Sequence, residues 1–271
     1  MNLKGIFLST ATLILSIFGA WIIAWLWSRK KEWSKKKKII CFVIIFLVLY
    51  ISGAFLYFGK YFHATDEARK YLVSTDTVSV TKNGSIWFFD GNGRDEALVF
   101  YPGAKVEAAA YAHIMYDIAE SGVDCYLVDM PLHMAFLGRG KAAGIIAKNP
   151  DYETWYMGGH SLGGAMASLY TATHPNEISG LYLLASYSTA PIEDSIQVVT
   201  LLGSEDSVIQ MDMLNENRDN LPQSAVEITI EGGNHAQFGD YGQQPGDGVP
   251  TISADEQKEQ SVEAFGLVRS K

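Results

Sequence analysis

The chain has 271 residues, of which 48% are hydrophobic and 19% are charged, and its formal net charge at pH 7 is −9. A net acidic surface argues against nucleic acid as a partner, because binding to nucleic-acid phosphates requires a basic patch. Its two cysteines, Cys41 and Cys125, lie in separate apolar segments and provide neither a disulfide framework nor the ligand spacing of a zinc site.

Two long apolar segments begin the chain. Residues 5–27 and 39–58 are each long enough to form a helix across the roughly 30 Å hydrocarbon layer of a membrane. The loop between them, residues 28–38, carries seven basic residues and one acidic residue. Because basic residues hold a short loop on the cytoplasmic side, we expect two transmembrane helices with both chain ends extracytoplasmic. A cleaved signal peptide is the alternative for the first segment, although that segment is longer than usual for one and no small-residue cleavage site follows it.

The boundary between anchor and domain is expected near residue 60. Of the 30 acidic residues, 29 follow Phe58, so the part of the chain after the apolar segments is strongly acidic. We predict a membrane anchor over residues 1–60, with the lipid bilayer as its partner, and one domain over residues 61–271. The protein is expected in the cell membrane, with this domain on the extracytoplasmic side.

The rest of the chain alternates short apolar segments with longer helical ones. The first two strands are expected to pair antiparallel across the turn Asn83-Gly84. The predicted strands are residues 78–82, 85–90, 96–101, 123–130, 154–159, 180–186, 196–203 and 225–232, and the predicted helices are 106–122, 162–174 and 253–270. The alternation predicts an α/β fold with a mostly parallel sheet and helices on both faces. Ligands of such sheets bind beyond the carboxyl ends of the strands.

Ser161 follows the fifth predicted strand in the sequence MGGHSLGGAMASLY, residues 157–170. Gly159 and Gly163 complete the pattern G-x-S-x-G, in which glycines permit the tight strand-to-helix turn that presents a nucleophilic serine. Serine is also a favoured helix N-cap and glycine marks ordinary turns, so a capping serine is the competing interpretation. A serine hydroxyl is a weak nucleophile by itself, and a catalytic Ser161 needs a base.

Three segments resemble the α/β-hydrolase superfamily. They are FYPGAKV (100–106), GHSLGG (159–164) and GGNHAQFGDYGQQPGDG (232–248), and the resemblance extends over about residues 78–270. The chain is most similar to the small alpha/beta hydrolase fold-5 group related to dienelactone hydrolases. The resemblance implies an α/β-hydrolase fold, the chain order serine, acid, histidine, and no metal or organic cofactor.

The resemblance places the catalytic histidine at His235, directly after the last predicted strand. The other histidines are expected to be structural or exposed; they are His63, His113, His133, His160 and His174.

The acid of the triad is expected just after the seventh predicted strand. The family pattern G-S-x-D-x-V matches residues 203–208, which makes Asp206 the residue that orients His235. Glu205 is the alternative, since only one of the two neighbouring side chains can face the histidine in so tight a turn.

Two backbone N–H groups are expected to form an oxyanion hole. Leu162 supplies one, because it follows the nucleophile at a helix N-terminus. The second donor is expected in the loop after the third strand, from Ala104 or Lys105, with Ala104 preferred. This loop reads Pro102-Gly103-Ala104 where many relatives have His-Gly-x, which leaves the choice between the two open.

The predicted function is a membrane-anchored serine hydrolase that cleaves a carboxylic ester, lactone or thioester through an acyl-enzyme. Ser161 attacks the carbonyl carbon, His235 takes and later returns the proton, and water releases the acyl group. Two alternatives remain: an acyltransferase that uses the same triad on an envelope acceptor, and a non-catalytic, membrane-tethered binding module.

The site is expected to be open, because only about ten residues (187–196) join the sixth and seventh strands and leave no room for a large cap domain. An apolar group after the fourth strand is interpreted equally well as an acyl pocket or as ordinary packing; its members are Met130, Leu132, Met134, Phe136 and Leu137. The segment 239–248 contains Asp240 and Asp247 but does not match a calcium loop, so a solvated turn is expected there.

Overall fold

The computed structural model describes residues 3–30, 33–93 and 95–269, and it divides the chain into two units, Met1–Lys60 and Tyr61–Lys271. In the first unit, helix α1 (Leu3–Lys30) packs against helix α2 (Lys35–Phe58), and Ser34 caps α2 by accepting a 3.4 Å hydrogen bond from the N–H of Lys37. Among the described residues, α2 is the one helix long and apolar enough to cross a membrane. The sequence predicted two such helices, and α2 corresponds to the second of them, residues 39–58.

The first predicted span is described only in part. Its described apolar portion is Leu13–Trp27, which is shorter than a membrane span. The side chains of residues 5–12 lie outside the described residues, as do residues 31 and 32 of the basic loop.

All eight predicted strands are present in the second unit. They are β1 (Ser79–Asn83), β2 (Ile86–Asp90), β3 (Glu96–Tyr101), β4 (Asp124–Val128), β5 (Thr154–His160), β6 (Gly180–Leu184), β7 (Gln197–Gly203) and β8 (Val226–Ile230). The predicted antiparallel pair is confirmed: β1 and β2 form a hairpin in which Asn83 lies opposite Ile86. Gly84 occupies the turn at a φ of +58°, a conformation that glycine adopts without steric cost.

The strands form one sheet in the order β1-β2-β4-β3-β5-β6-β7-β8. β2 pairs antiparallel with both of its neighbours, while β3 to β8 are parallel to one another. β3 lies between β4 and β5, so the chain changes direction across the sheet at this point. Tyr101 at the end of β3 pairs with Gly159 near the end of β5, and the loops after these two strands therefore start side by side.

Helices cover both faces of the sheet. They are α3 (Asp66–Lys70), α4 (Ala112–Glu120), α5 (Lys141–Ile146), α6 (Leu162–Thr173), α7 (Met211–Glu216) and α8 (Ala254–Arg269). Alternate residues of β3 enter different cores: Leu98 and Phe100 lie in the cluster with residues of α4 and α8, and Val99 lies in the cluster with residues of α5 and α6. This alternation confirms the expected α/β arrangement with two covered faces.

The helix predicted over residues 106–122 starts later than expected. Val106 forms a parallel bridge with Phe62, the next turn is a 3₁₀ helix at Ala108–Tyr111, and the α-helix begins at Ala112. The bridge is extended by two hydrogen bonds: the Phe62 N–H donates to the Lys105 carbonyl (2.7 Å), and the Glu107 N–H donates to the Phe62 carbonyl (2.9 Å). The first residues of the second unit therefore hold the loop that follows β3.

The connection between β6 and β7 contains no inserted cap domain. Residues 185–196 are all described and contain neither helix nor strand. This agrees with the predicted absence of a large cap domain.

The segment 239–248 is a solvated turn only in part: residues 239–241 are buried, and residues 242, 243, 245 and 246 are exposed. Asp240 is only 8% exposed, its Oδ1 accepts a hydrogen bond from Lys258 Nζ, and its Oδ2 lies 3.8 Å from His113 Nδ1. Lys258 itself is 1% exposed. A buried carboxylate requires partners of this kind, since an unpaired buried charge is strongly unfavourable.

His113 gives this cluster a pH dependence. Burial lowers the pKa of His113, but the nearby carboxylates of Asp117 and Asp240 outweigh burial and the opposing charge of Lys258, and they raise this pKa to about 9. The folded-state pKa lies above the ordinary value of 6.5, so protonated His113 stabilises the fold fully below pH 6.5, and this contribution is lost as the pH rises through about 9.

We expect His113→Gln to lower the melting temperature of the full chain in detergent micelles by several degrees below pH 6.5 and by much less above pH 9. Thermal unfolding followed by circular dichroism across this range measures the difference. His63→Gln is the control, because the His63 side chain is 68% exposed. A destabilisation by His113→Gln that stays constant with pH would contradict the assignment.

Candidate active site

Ser161 lies in a strained turn between β5 and α6. Its φ of +52° and ψ of −124° place a residue with a side chain in a conformation that costs about 1–3 kcal/mol. The end of β6 holds it there: the Ser161 N–H donates to the Leu184 carbonyl (2.9 Å), and the Ser161 carbonyl accepts from Ser186 Oγ (2.8 Å). The sequence after β6 thus fixes the turn after β5.

The Ser161 side chain does not act as a helix cap. A capping serine normally has β-region backbone angles and accepts a hydrogen bond from the first turn of its helix. Ser161 has a positive φ, and in the part of the chain that the structure describes its hydroxyl makes no capping hydrogen bond to α6. The turn therefore has the features of a nucleophile elbow rather than of an ordinary N-cap.

Gly159 and Gly163 are required by close backbone contacts. A Cβ on Gly159 would lie 2.5 Å from the carbonyl carbon of Gly163, and a Cβ on Gly163 would lie 2.0 Å from the carbonyl oxygen of Tyr101. The start of α6 is consequently packed directly on the end of β3. This packing brings the N–H of Leu162 and the loop at Pro102–Ala104 to the same end of the sheet.

The candidate oxyanion donors differ in their hydrogen bonds. Leu162 is the first residue of α6, a position where the N–H has no intrahelical acceptor. The Lys105 N–H donates to the His133 carbonyl (2.7 Å) and is therefore occupied. The Ala104 N–H donates no hydrogen bond among those of the described residues, and Ala104 is partly exposed. Of the two alternatives left open by the sequence, the geometry favours Ala104.

Asp206 and His235 meet across two loops. His235 Nδ1 lies 2.7 Å from Asp206 Oδ2, and the two side chains are 3% and 0% exposed. The other oxygen of Asp206 accepts hydrogen bonds from the N–H groups of Val208 (2.8 Å) and Ile209 (2.9 Å). These three bonds fix the carboxylate and leave Nε2 as the free nitrogen of the His235 ring.

Glu205 is placed differently from Asp206. Its Oε1 accepts a 3.3 Å hydrogen bond from the neighbouring Ser204 Oγ, and its backbone N–H donates to the Gly233 carbonyl at 2.8 Å. The structure thus brings Asp206, and not Glu205, to His235.

His160 connects the elbow to His235. Its ring lies 4.5 Å from the ring of His235, measured between centroids, and it directly precedes Ser161. In the described residues no hydrogen bond joins the Ser161 hydroxyl to His235, and in unliganded enzymes such a bond is often long. The structure therefore brings His235 to the elbow without the closed hydrogen bond of a complete triad.

Tyr111 and His160 form a buried pair that the sequence did not reveal. The Tyr111 oxygen accepts a hydrogen bond from the Gly103 N–H (3.1 Å) and forms a second hydrogen bond, 2.8 Å long, with His160 Nδ1. Burial, together with the charge of His235, lowers the pKa of His160 well below its ordinary value, so this ring is neutral. The pair links the loop before Ala104 to the elbow, across a sequence separation of 49 residues that gave no recognisable signal.

The apolar group after β4 divides in two. Met130 is 6% exposed and belongs to the core, whereas Leu132, Phe136 and Leu137 are each close to half exposed. The short turn Ala135–Leu137 contacts α6. Packing accounts for Met130, and the three exposed side chains are available to an apolar ligand.

Comparison with known proteins identifies the fold. A model of the Alpha/beta hydrolase family matches residues 97–259. Among curated proteins, no sequence matches the chain significantly. Similar solved structures include Est1E from Butyrivibrio proteoclasticus, with a TM-score of 0.52, 15% identity, and coverage of 72% of this chain and 100% of that one.

Two further solved structures have the same TM-score, 0.52. The dienelactone hydrolase from Anabaena variabilis ATCC 29413 is 13% identical, with coverage of 70% of this chain and 95% of that one. The Pyrobaculum calidifontis esterase is 13% identical, with coverage of 75% and 88%. At these identities the likeness to the solved structures shows a shared fold.

Proposed function

Since the chain belongs to the alpha/beta hydrolase family, we propose that it is a serine hydrolase that cleaves a carboxylic ester, lactone or thioester through Ser161, His235 and Asp206. The observation that carries this proposal is the 2.7 Å contact between His235 Nδ1 and Asp206 Oδ2, in a buried pair beside the strained Ser161 turn.

Each member of the triad has a defined task. Asp206 accepts the Nδ1 proton of His235 in a hydrogen bond, which leaves Nε2 as the base. His235 Nε2 takes the proton of the Ser161 hydroxyl as its oxygen attacks the carbonyl carbon. His235 then donates that proton to the leaving group, and the acyl-enzyme forms. Water, deprotonated by the same nitrogen, cleaves the acyl-enzyme and restores Ser161.

The negative charge of the tetrahedral intermediate is stabilised by the N–H groups of Leu162 and Ala104. Donors of this kind are effective because they are already oriented when the charge develops. Support comes from the close packing of Gly163 on Tyr101 and Pro102, which fixes the first turn of α6 against the loop that contains Ala104.

An ester with an apolar acyl group suits the surroundings of Ser161. The connection between β6 and β7 contains no cap domain, which leaves the site open. The side chains of Leu132, Phe136 and Leu137 provide exposed apolar surface. The solved structures with the same fold include one named as an esterase and one named as a dienelactone hydrolase.

The test is hydrolysis of a chain-length series of nitrophenyl esters by the purified full chain, together with labelling by a fluorophosphonate. The proposal predicts turnover and stoichiometric labelling. A folded protein that is labelled but transfers its acyl group only to an added alcohol or amine would be an acyltransferase. A folded protein that is neither labelled nor active would contradict the proposal and favour a binding module.

The site also has a proposed location. We propose that residues 1–60 anchor the chain in the cell membrane through two helices, 5–27 and 39–58, with the catalytic domain on the extracytoplasmic side. The apolar helix α2 and the basic residues that precede it support this topology. Protease added to intact cells is expected to digest the domain, and protection of the domain under these conditions would contradict the orientation.

A further inference from the structure

Asp247 joins the two loops that carry Asp206 and His235. Its Oδ1 accepts hydrogen bonds from the N–H groups of Ser207 (3.3 Å) and His235 (3.3 Å), and its Oδ2 accepts one from the N–H of Ala236 (2.8 Å). One carboxylate therefore contacts the residue after the acid, the histidine itself and the residue after the histidine.

The surrounding backbone is arranged around this carboxylate. Oδ1 also accepts from the N–H of Gly248 at 2.9 Å, which fixes the side chain on its own turn. A Cβ on Gly248 would lie 1.9 Å from the carbonyl oxygen of Glu205, so the turn is packed directly on the loop of the acid. On the other side, Asn234 Nδ2 donates to the Gly248 carbonyl at 2.9 Å.

The His235 loop has a second, independent support. Gln257 in α8 accepts from the Asn234 N–H (2.9 Å) and donates to the Asn234 carbonyl (2.8 Å). This contact ties the histidine loop to α8 but does not reach the loop of Asp206. Two hydrogen bonds join the loops directly, since Ser204 Oγ accepts from the Gly232 N–H and the Glu205 N–H donates to the Gly233 carbonyl, each at 2.8 Å. Asp247 adds hydrogen bonds from a third segment, and these reach His235 itself and the residues that directly follow Asp206 and His235.

We propose that Asp247 is a positioning residue, which holds the loops of Asp206 and His235 at the separation that their 2.7 Å contact requires. The inference rests on the proposed function. Asp247 acts through the backbone, and among the described residues it forms no hydrogen bond with Ser161 or with the proposed oxyanion donors. Its loss is therefore expected to change kcat while leaving the KM of a small ester nearly unchanged.

Two substitutions of Asp247 are expected to lower kcat by different amounts. Asp247→Ala removes every side-chain acceptor, and we expect kcat for nitrophenyl acetate to fall about 100-fold, the cost of a displacement of about 1 Å in a catalytic group. Asp247→Asn keeps one acceptor oxygen but turns an amide nitrogen toward an N–H group, and we expect an intermediate loss. Asp194→Asn, an exposed aspartate before β7, is the matched control with unchanged kcat and KM.

A spectroscopic readout separates positioning from general destabilisation. A proton held between His235 Nδ1 and Asp206 Oδ2 is expected to give a ¹H resonance at lower field than the backbone amides. The resonance is assigned by its loss in Asp206→Asn. In a full chain that remains folded, it should be present in wild type and Asp194→Asn and be lost or broadened in Asp247→Ala, with Asp247→Asn serving if the alanine variant does not fold.

Wild-type kcat or a wild-type resonance in folded Asp247→Ala would overturn the proposal. A reduced kcat with an intact resonance would overturn it as well, because the contact would then survive without Asp247. If the wild-type chain is neither active nor labelled by fluorophosphonate, the proposed function fails, yet the resonance still reports whether Asp247 holds the two loops together.

Discussion

Ser161→Ala is expected to lower kcat/KM for nitrophenyl esters by on the order of 10⁵-fold and to abolish labelling by a fluorophosphonate. The loss is this large because the serine oxygen forms the covalent bond to the acyl group, and no other group can replace it. The substitution removes one oxygen atom from a partly buried turn, so the fold should be unaffected. Ester hydrolysis and labelling of the full chain measure the effect.

The matched control for this substitution is Ser195→Ala. Ser195 is exposed on the connection before β7, and its variant should retain wild-type activity and labelling. If Ser161→Ala remained active, a different nucleophile would have to be sought. If Ser161→Ala lost both its activity and its folded state, the result would not test whether Ser161 is the nucleophile. Circular dichroism of each variant therefore accompanies each assay.

Asp206→Asn is expected to lower kcat by about 10⁴-fold. The amide removes the charge that stabilises the imidazolium of His235 and presents a competing donor to Nδ1. The other oxygen of Asp206 accepts hydrogen bonds from the N–H groups of Val208 and Ile209, and the amide oxygen of asparagine can still accept them. The measurement is single-turnover acylation of the variant, which isolates the step that requires the base.

The neighbouring Glu205 supplies the control for Asp206. Glu205→Gln conserves shape and removes the charge of a side chain that accepts a hydrogen bond from Ser204 rather than from His235, so kcat should stay within about twofold of wild type. A large loss in Glu205→Gln combined with a small loss in Asp206→Asn would exchange the two assignments.

Much of the fold could be predicted from the sequence, because its signals are local. Each strand is a short apolar segment bounded by turn residues, and the Asn83-Gly84 turn by itself specified the first hairpin. The position of β3 between β4 and β5 could not be predicted from these patterns, since the pairing of distant strands leaves no local signature.

The site was predictable in part for the same reason. Ser161, Asp206 and His235 each follow a strand, and their residue types and order carry a recognisable pattern. Asp247 and the pair of Tyr111 with His160 act through contacts between distant loops, and no spacing rule relates them to the triad. The prediction of a solvated turn over 239–248 was wrong at Asp240 because its partners, Lys258 and His113, come from two distant helices.

The bridge between Phe62 and Val106 has a mechanical consequence. Only Gly59 and Lys60 lie between the end of α2 and Tyr61. Phe62 is hydrogen bonded to Lys105, the residue after the proposed donor Ala104. The first residues of the second unit therefore restrain the loop of that donor, and the Tyr61 ring, stacked on the ring of His133, adds a contact beside it. A truncated chain that starts at residue 65 would lack this restraint, whereas one that starts at residue 61 would keep it.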